Sequence, residues 1–301
     1  MVLLIGPTWR PTEEDLDLLS GMGHEVHFIK DERDALSIPY EAVEGVVCNN
    51  LFLFHDIERF KNLRYVQLTS AGMDRAPVDY MRAHGITLRN ARGVYSIPMA
   101  EHALLCTLAL FRRYDRFVKN KAEKRYEKVR DVIELHSKRV LTVGCGSVGV
   151  TCAERFFAMG CTVFGVDDYV ECAHPYEKIY KVAEIDEALE SADILLLTLP
   201  YTPETRHIIN AERLAKLPLG ATVINISRGG TLDTEALICA LKSGRLTGAV
   251  LDVFEEEPLP ATSPLWDIDN VIITPHNSFV GEGNAHRLSR LVIENLNKGE
   301  L

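Results

Sequence analysis

Residues 139–168, RVLTVGCGSVGVTCAERFFAMGCTVFGVDD, constrain the fold more than any other stretch of the chain. A β-branched, apolar run leads into Gly144, Gly146 and Gly149 in G-x-G-x-x-G spacing. A helix-like segment opens at once, and a second apolar run ends at Asp167, eighteen residues after the last glycine. Glycines so placed permit a tight turn, close approach of backbone to a pyrophosphate and close helix-to-strand packing, while the helix N-terminus favours negative charge. The hexapeptide alone is a weak signal, but strand, loop, helix and acid in this order predict a βαβ unit that binds a dinucleotide. A carboxylate at Asp167 can accept hydrogen bonds from both ribose hydroxyls of NAD. Asp168 adds a second negative charge that would repel the 2′-phosphate of NADP, so the expected cofactor is NAD.

The same alternation runs through the rest of the chain. VLLIG (2–6), EVHFI (25–29), GVVC (45–48), YVQLT (65–69) and ITL (86–88) read as one series of strands separated by helix-like segments. RVLTV (139–143), TVFGV (162–166), ILLLT (194–198), TVINI (222–226), GAVLDV (248–253) and VIIT (271–274) read as a second. Runs apolar on both faces suit strands covered by helices on each side, which predicts an α/β chain of two doubly wound parallel-sheet domains. One is a Rossmann cofactor domain around the glycine loop, the other a flavodoxin-like substrate domain, with a cleft between them. A long helix near SIPMAEHALLCTLALFRR, with Ser96 as its cap and Pro98 in its first turn, marks the border. The amphipathic stretch 283–297 has no strand after it and is expected to fold back on the first domain. The expected division is therefore 1–97 with 278–301 for the substrate and 98–277 for the cofactor.

Composition narrows the partners. With 301 residues the chain can build two cores, and a formal net charge of -10 would repel a phosphate backbone, which argues against nucleic acid. The strongest apolar stretch, about 103–111, is too short to span a bilayer, and the opening MVLLIG reads as a first strand rather than a leader, so a cytoplasmic protein without a membrane partner is expected. The seven cysteines (Cys48, Cys106, Cys145, Cys152, Cys161, Cys172, Cys239) contain no C-x-x-C pair and suggest neither a disulfide framework nor a zinc site. His24 and His27 lie three apart along a strand and would point to opposite faces, so no metal is expected there.

In an open parallel sheet, ligands sit outside the carboxyl ends of the strands. Arg228, Glu257 and His276 follow three of the predicted strands and can meet on one rim beside the cofactor. An arginine offers a fork of donors that matches a carboxylate and polarises a neighbouring oxygen, a histidine gives or takes a proton near neutral pH, and a glutamate would orient the ring. Each alone could be a solvated loop residue; their shared location favours chemistry. Glu101 and His102, adjacent on a helix, project about 100° apart and read as structural.

These residues, together with SAGMD (70–74), NARGVYSIPMAEHAL (90–104), TLPYTPETRHIIN (198–210), INISRGG (224–230), LDVFEEEPLP (251–260) and TPHNS (274–278), resemble the D-isomer-specific 2-hydroxyacid dehydrogenases in order and spacing. The resemblance implies a catalytic set of Arg228, Glu257 and His276. It implies that Asp252 holds the nicotinamide carboxamide, that Ser147 and Val148 lie over the pyrophosphate, and that Pro200, Thr205, Ile226 and Ser227 line the cofactor. Backbone amides near Ala71 and Gly72 would help Arg228 and His276 hold the substrate, and family members are usually homodimers joined through the cofactor domain.

The expected reaction is an NAD-dependent transfer of hydride between nicotinamide C4 and C2 of a small 2-oxo or 2-hydroxy acid, with closure of the cleft excluding water. Two alternatives stay open. One is an NAD(H)-sensing, corepressor-like binding protein of the same fold; the other is a formate dehydrogenase-like enzyme, a branch that carries glutamine where Glu257 stands. The segments CNNLFLFH (48–55) and NSFVGEGNAH (277–286) depart from familiar patterns and would border the substrate. Leu51, Phe52 and Phe279 suggest an apolar side-chain pocket, whereas Arg92 suggests a phosphate contact.

Overall fold

The computed structural model describes residues 1–297. Its strands form two sheets, and every pairing between them is parallel. Contacts divide the chain into two units, Met1–Tyr95 with the segment from Gly281 onward, and Ser96–Val280. The borders fall two and three residues from those expected, because the long helix begins at Ser96 and the loop after the last strand stays with the second unit.

In the first unit β1 (Val2–Ile5), β2 (Glu25–Phe28), β3 (Gly45–Cys48), β4 (Tyr65–Leu68) and β5 (Thr87–Arg89) lie in the order β2-β1-β3-β4-β5. β3 and β4 are buried along their whole length, as strands covered on both faces must be. One face carries Leu4, Val46, Val66, Leu68 and Met81. The other carries Leu3, Ile5, Val47 and Tyr65 against Leu19 of α1 (Glu13–Gly21) and Leu288, Val292 and Leu296 of the final helix α9 (Asn284–Asn297). Helix α1 starts at a capping box in which Thr12 and Asp15 each accept the other's backbone N–H, worth about 1 kcal/mol.

In the second unit β6 (Arg139–Val143), β7 (Thr162–Val166), β8 (Tyr176–Tyr180), β9 (Ile194–Leu197), β10 (Ala221–Asn225), β11 (Leu246–Leu251) and β12 (Val271–Ile273) lie in the order β12-β11-β10-β9-β6-β7-β8. The order reverses between β6 and β9, the switch point at which such sheets take a ligand. Helices α3 (Ser96–Phe111) and α5 (Ser147–Ala158) cover one face through Ala103, Leu110, Cys152 and Phe156. α7 (Ala211–Lys216) and α8 (Thr234–Lys242) cover the other through Leu214, Leu237 and Leu241. Asn210 and Asp233 cap these two helices.

Three readings of the sequence need correction. Strand β8 is absent from the predicted series: its YEKIY pattern exposes Glu177 and Lys178, which an edge strand tolerates and an apolar-run criterion misses. Ser96 is the first residue of α3, and among the described residues its buried hydroxyl has no partner, so it does not cap the helix. Leu51 does not line an apolar substrate pocket. Leu51 is fully buried in the first unit's core and Phe52 packs edge-on against Phe60 at 5.9 Å.

Candidate active site

The site is built from the carboxyl ends of β10, β11 and β12. Register holds these ends level, since Asn225 pairs with Leu251 and Leu251 with Ile273. The chain leaving each strand therefore emerges at the same edge. Arg228 follows β10, Asp252 is the first residue after β11, and the His276 loop follows β12.

Asp252 is the hub of this edge. It is fully buried, and a buried carboxylate is tolerable only when its oxygens are satisfied. Oδ1 accepts from Thr274 Oγ1 at 2.6 Å and from Asn277 N at 2.8 Å, and Oδ2 accepts from Ser278 N at 2.9 Å. Its backbone oxygen accepts from His276 N at 2.8 Å. One acid thus ties down the segment on both sides of His276. That segment is held in an unfavourable shape: His276 has φ +49°, left-handed backbone that costs a residue with a Cβ roughly 1–2 kcal/mol.

The shape presents the ring to Glu257. His276 Nδ1 lies 2.8 Å from Glu257 Oε2, while Glu257 Oε1 accepts from Phe254 N at 3.0 Å. A carboxylate only accepts, so Nδ1 carries the hydrogen and Nε2 is the nitrogen left for proton exchange. Both side chains are about one-third exposed, at 32% and 36%. The ring edge also meets Phe279 at 6.0 Å between centroids. Half-buried Arg228 extends from the neighbouring strand, with Nη1 donating to Ser227 O at 2.9 Å. Gly229 permits this arrangement, because a Cβ there would overlap the backbone of Phe254 and drive the β10 and β11 loops apart.

The residues expected to hold a cofactor frame the switch point. Gly144 has φ +94°, and a Cβ on Gly149 would overlap the Gly144 carbonyl oxygen. Gly146 caps α5 without a side-chain hydrogen bond, and a Cβ there would meet nothing within 4 Å, so the first turn, with Ser147 and Val148, has room above it. Thr198, at the end of β9, donates to Gly144 O at 2.6 Å and braces the loop across the switch point. Asp167 follows β7 directly; Oδ2 accepts from Cys145 N at 2.9 Å, and Oδ1 from Tyr169 N at 2.8 Å and Val170 N at 3.2 Å, leaving Oδ2 a further acceptor position. An open glycine turn, an uncapped helix N-terminus and a carboxylate on the adjacent strand fit a dinucleotide.

The remaining candidate residues differ in how they face the solvent. Pro200 is exposed, and its carbonyl accepts from Thr205 Oγ1 at 2.8 Å, which closes the loop after β9. Ile226 and Ser227 are buried; Ile226 packs in the core and Ser227 Oγ donates to Asn225 Oδ1 at 2.8 Å, so neither side chain is offered outward. Asp252 likewise exposes no surface. Ala71 and Gly72 sit on the loop after β4 in the first unit, where Ser70 Oγ donates to Gly72 O at 2.8 Å. Arg92 is exposed, its backbone N–H bound to Asn90 Oδ1. Among the described residues no cluster could hold a metal ion, and no helix is long and apolar enough to cross a membrane.

Sequence reasoning missed a second histidine–glutamate pair, and it read a further histidine, His102, as structural without finding its partner. His207 Nε2 lies 3.1 Å from Glu255 Oε2, and Glu255 Oε1 accepts from Thr234 Oγ1 at 2.7 Å. Burial works against the charged Glu255 carboxylate, but the hydrogen bonds from Thr234 and His207 hold its pKa below the usual value. His102 Nε2 lies 3.1 Å from Thr274 Oγ1. Its only sequence signal was position on a helix leading out of the domain border.

Residues 104–278 match the NAD binding domain of the D-isomer specific 2-hydroxyacid dehydrogenases. The chain belongs to this family. It is 31% identical to a glyoxylate reductase of Thermofilum pendens, over 96% of this chain and 81% of that protein. It is 35% identical to a D-3-phosphoglycerate dehydrogenase of Methanocaldococcus jannaschii over 81% of this chain, but it spans about half of that protein's length, 48%. In structure it resembles a family member from Xanthobacter autotrophicus Py2, solved in complex with NADPH and MES, with a TM-score of 0.79 at 29% identity over 100% of this chain and 96% of the other.

Proposed function

We propose that the chain is an NAD-dependent D-2-hydroxyacid dehydrogenase, acting in reverse as a reductase of small 2-oxo acids. The observation that carries the reading is the His276–Glu257 pair held at 2.8 Å on the same sheet edge as Arg228. When bound over the glycine loop, NADH supplies hydride to C2 of the substrate. Arg228 binds the substrate carboxylate and polarises its oxo group. His276 gives a proton from Nε2 to the oxygen as it becomes an alkoxide, and Glu257, holding the Nδ1 hydrogen, keeps the ring in the donating orientation. Oxidation reverses the proton's path. Gly144, Gly146, Ser147, Val148, Gly149 and Asp167 would hold the dinucleotide, with Pro200, Thr205 and the backbone at Ile226 and Ser227 beside it. Asp252, whose oxygens are covered, would serve the carboxamide site by holding the Thr274–Ser278 segment in place. Ala71 and Gly72 stand as proposed carboxylate contacts.

Glyoxylate, hydroxypyruvate and phosphohydroxypyruvate are the first substrates to test, in view of the activities named for the two relatives. Asp167 and Asp168 favour NAD over NADP. A corepressor-like binder would need the glycine loop but not a donor-bearing histidine set against a carboxylate. A cytoplasmic location accords with seven free cysteines. A homodimer through the second unit would cover Leu105, Tyr114 and Val118, which are 65%, 60% and 56% exposed. The decisive assay follows NADH absorbance with these acids, pyruvate and 2-oxoisocaproate. His276→Ala is expected to lower turnover about 10²- to 10⁴-fold with NADH binding retained. Full activity in that variant would remove His276 as the acid.

A further inference from the structure

The mechanism leaves a partly buried histidine beside the site without a task. His102 sits on α3, 17% exposed, with Nε2 at 3.1 Å from Thr274 Oγ1 and at 4.0 Å from Asp252 Oδ1. Thr274 Oγ1 lies 2.6 Å from Asp252 Oδ1, and a hydroxyl has a single hydrogen to give. If that hydrogen went to His102, two bare oxygens would face each other at 2.6 Å inside the protein. With Asp252 ionised, the arrangement is satisfied in one way: Nε2–H donates to Thr274 Oγ1, and Thr274 O–H donates to Asp252. Cys106 Sγ, at 3.5 Å from the same nitrogen, can serve only as a weak second acceptor of that hydrogen.

We infer that His102 is a positioning residue for His276, acting through Thr274 to direct a hydroxyl hydrogen onto Asp252 and so hold the carboxylate that shapes the catalytic loop. The inference rests on the reading of His276 as the proton donor. Burial lowers the His102 pKa more than nearby Asp252 raises it, which agrees with a neutral ring bearing its hydrogen on one nitrogen. The link matters because Asp252 holds Asn277 N and Ser278 N directly and His276 N through its carbonyl. A turn of the Asp252 carboxyl group would slacken the segment that keeps His276 in left-handed backbone.

The first test needs no substrate. Long-range proton–nitrogen correlation spectra of the full chain, with His102 assigned by the signal lost in His102→Gln, should show a neutral ring at pH 7 protonated on Nε2. Protonation on Nδ1, or on both nitrogens, overturns the inference. In kinetics, His102→Leu should lower kcat about tenfold, since small displacements of a reacting group are costly, with KM for NADH within about twofold. His102→Gln, whose amide nitrogen can occupy the Nε2 position, should recover kcat to within about threefold of the parent. Thr274→Val and the double variant His102→Leu, Thr274→Val should fall alike, because both break one link. Equal impairment of the Leu and Gln variants, or losses that multiply in the double variant, would overturn it. Should His102→Leu not fold, the Gln variant and the spectra still decide. A parent protein that reduces no 2-oxo acid would end the proposed function while leaving the spectral result to stand or fall separately.

Discussion

Replacing Glu257 by glutamine changes one oxygen to an NH2 group of the same size, and the structure makes this more than a loss of charge. Both carboxylate oxygens face donors: Oε2 meets His276 Nδ1 at 2.8 Å and Oε1 meets Phe254 N at 3.0 Å. Glutamine has one acceptor for the two: with its oxygen toward His276 its NH2 group confronts Phe254 N–H, and with its NH2 group toward His276 the ring must move its hydrogen from Nδ1 to Nε2. Losing a hydrogen bond to a charged group costs about 1.5–3 kcal/mol. Because the Glu257 side chain is 36% exposed, water replaces part of what is lost, and about 1–1.5 kcal/mol is the discounted expectation. If that falls on the transition state, kcat drops about fivefold to fifteenfold. Steady-state rates by NADH absorbance measure the drop, and a fluorescence titration of NADH on the same sample checks that cofactor binding is kept. A kcat within about twofold of the parent would refute the orienting role of Glu257. A matching loss of NADH affinity would instead mean that the Phe254–Glu257 loop had collapsed.

Other variants test the frame. Gly149→Ala places a methyl group against the Gly144 carbonyl and Thr198 Oγ1; overpacking of about 1–3 kcal/mol should weaken NADH binding about tenfold, and an unchanged titration would mean that α5 can move aside. Asp167→Ala should narrow the preference for NADH over NADPH and also lower Tm, because Cys145 N and Tyr169 N lose their acceptor; an unchanged affinity ratio removes Asp167 from cofactor discrimination. Burial lowers the pKa of His24 and of His102 below 6.5, so the unfolded chain takes up protons more readily than the folded one. Their stabilising contribution is present in full above pH 6.5 and is lost as pH falls through that region toward the folded values. The urea midpoint should therefore fall between pH 7.5 and 5.5, and fall less in His102→Gln; an equal fall in both proteins would show that His102 does not contribute.

How far the site could be read in advance depended on the distance between partners. Arg228 and His276 were legible because apolar strands predict a parallel sheet, and parallel strands bring their carboxyl ends to one edge. The third member, Glu257, is singled out from three consecutive glutamates by the family pattern; its neighbour Glu255 instead pairs with His207. The role of His102 was not legible. Its partner Thr274 lies 172 positions away, and helical geometry, which compares near neighbours, could only separate it from Glu101. Leu51 misleads for a related reason: an apolar residue after a strand fits a pocket wall or a core, and only its complete burial in the first unit's core decides.

By itself the sequence determined the class of fold, the glycine loop and the acid that comes after it, since these depend on hydrophobic period, local turn geometry and short spacing. The tertiary structure decided which groups hold one another. It closed Asp252 off beneath the Thr274–Ser278 segment, bent His276 into left-handed backbone and gave both oxygens of Glu257 to donors. Those choices rest on hydrogen-bond satisfaction among residues remote in the chain, a condition that exists only once β10, β11 and β12 stand side by side.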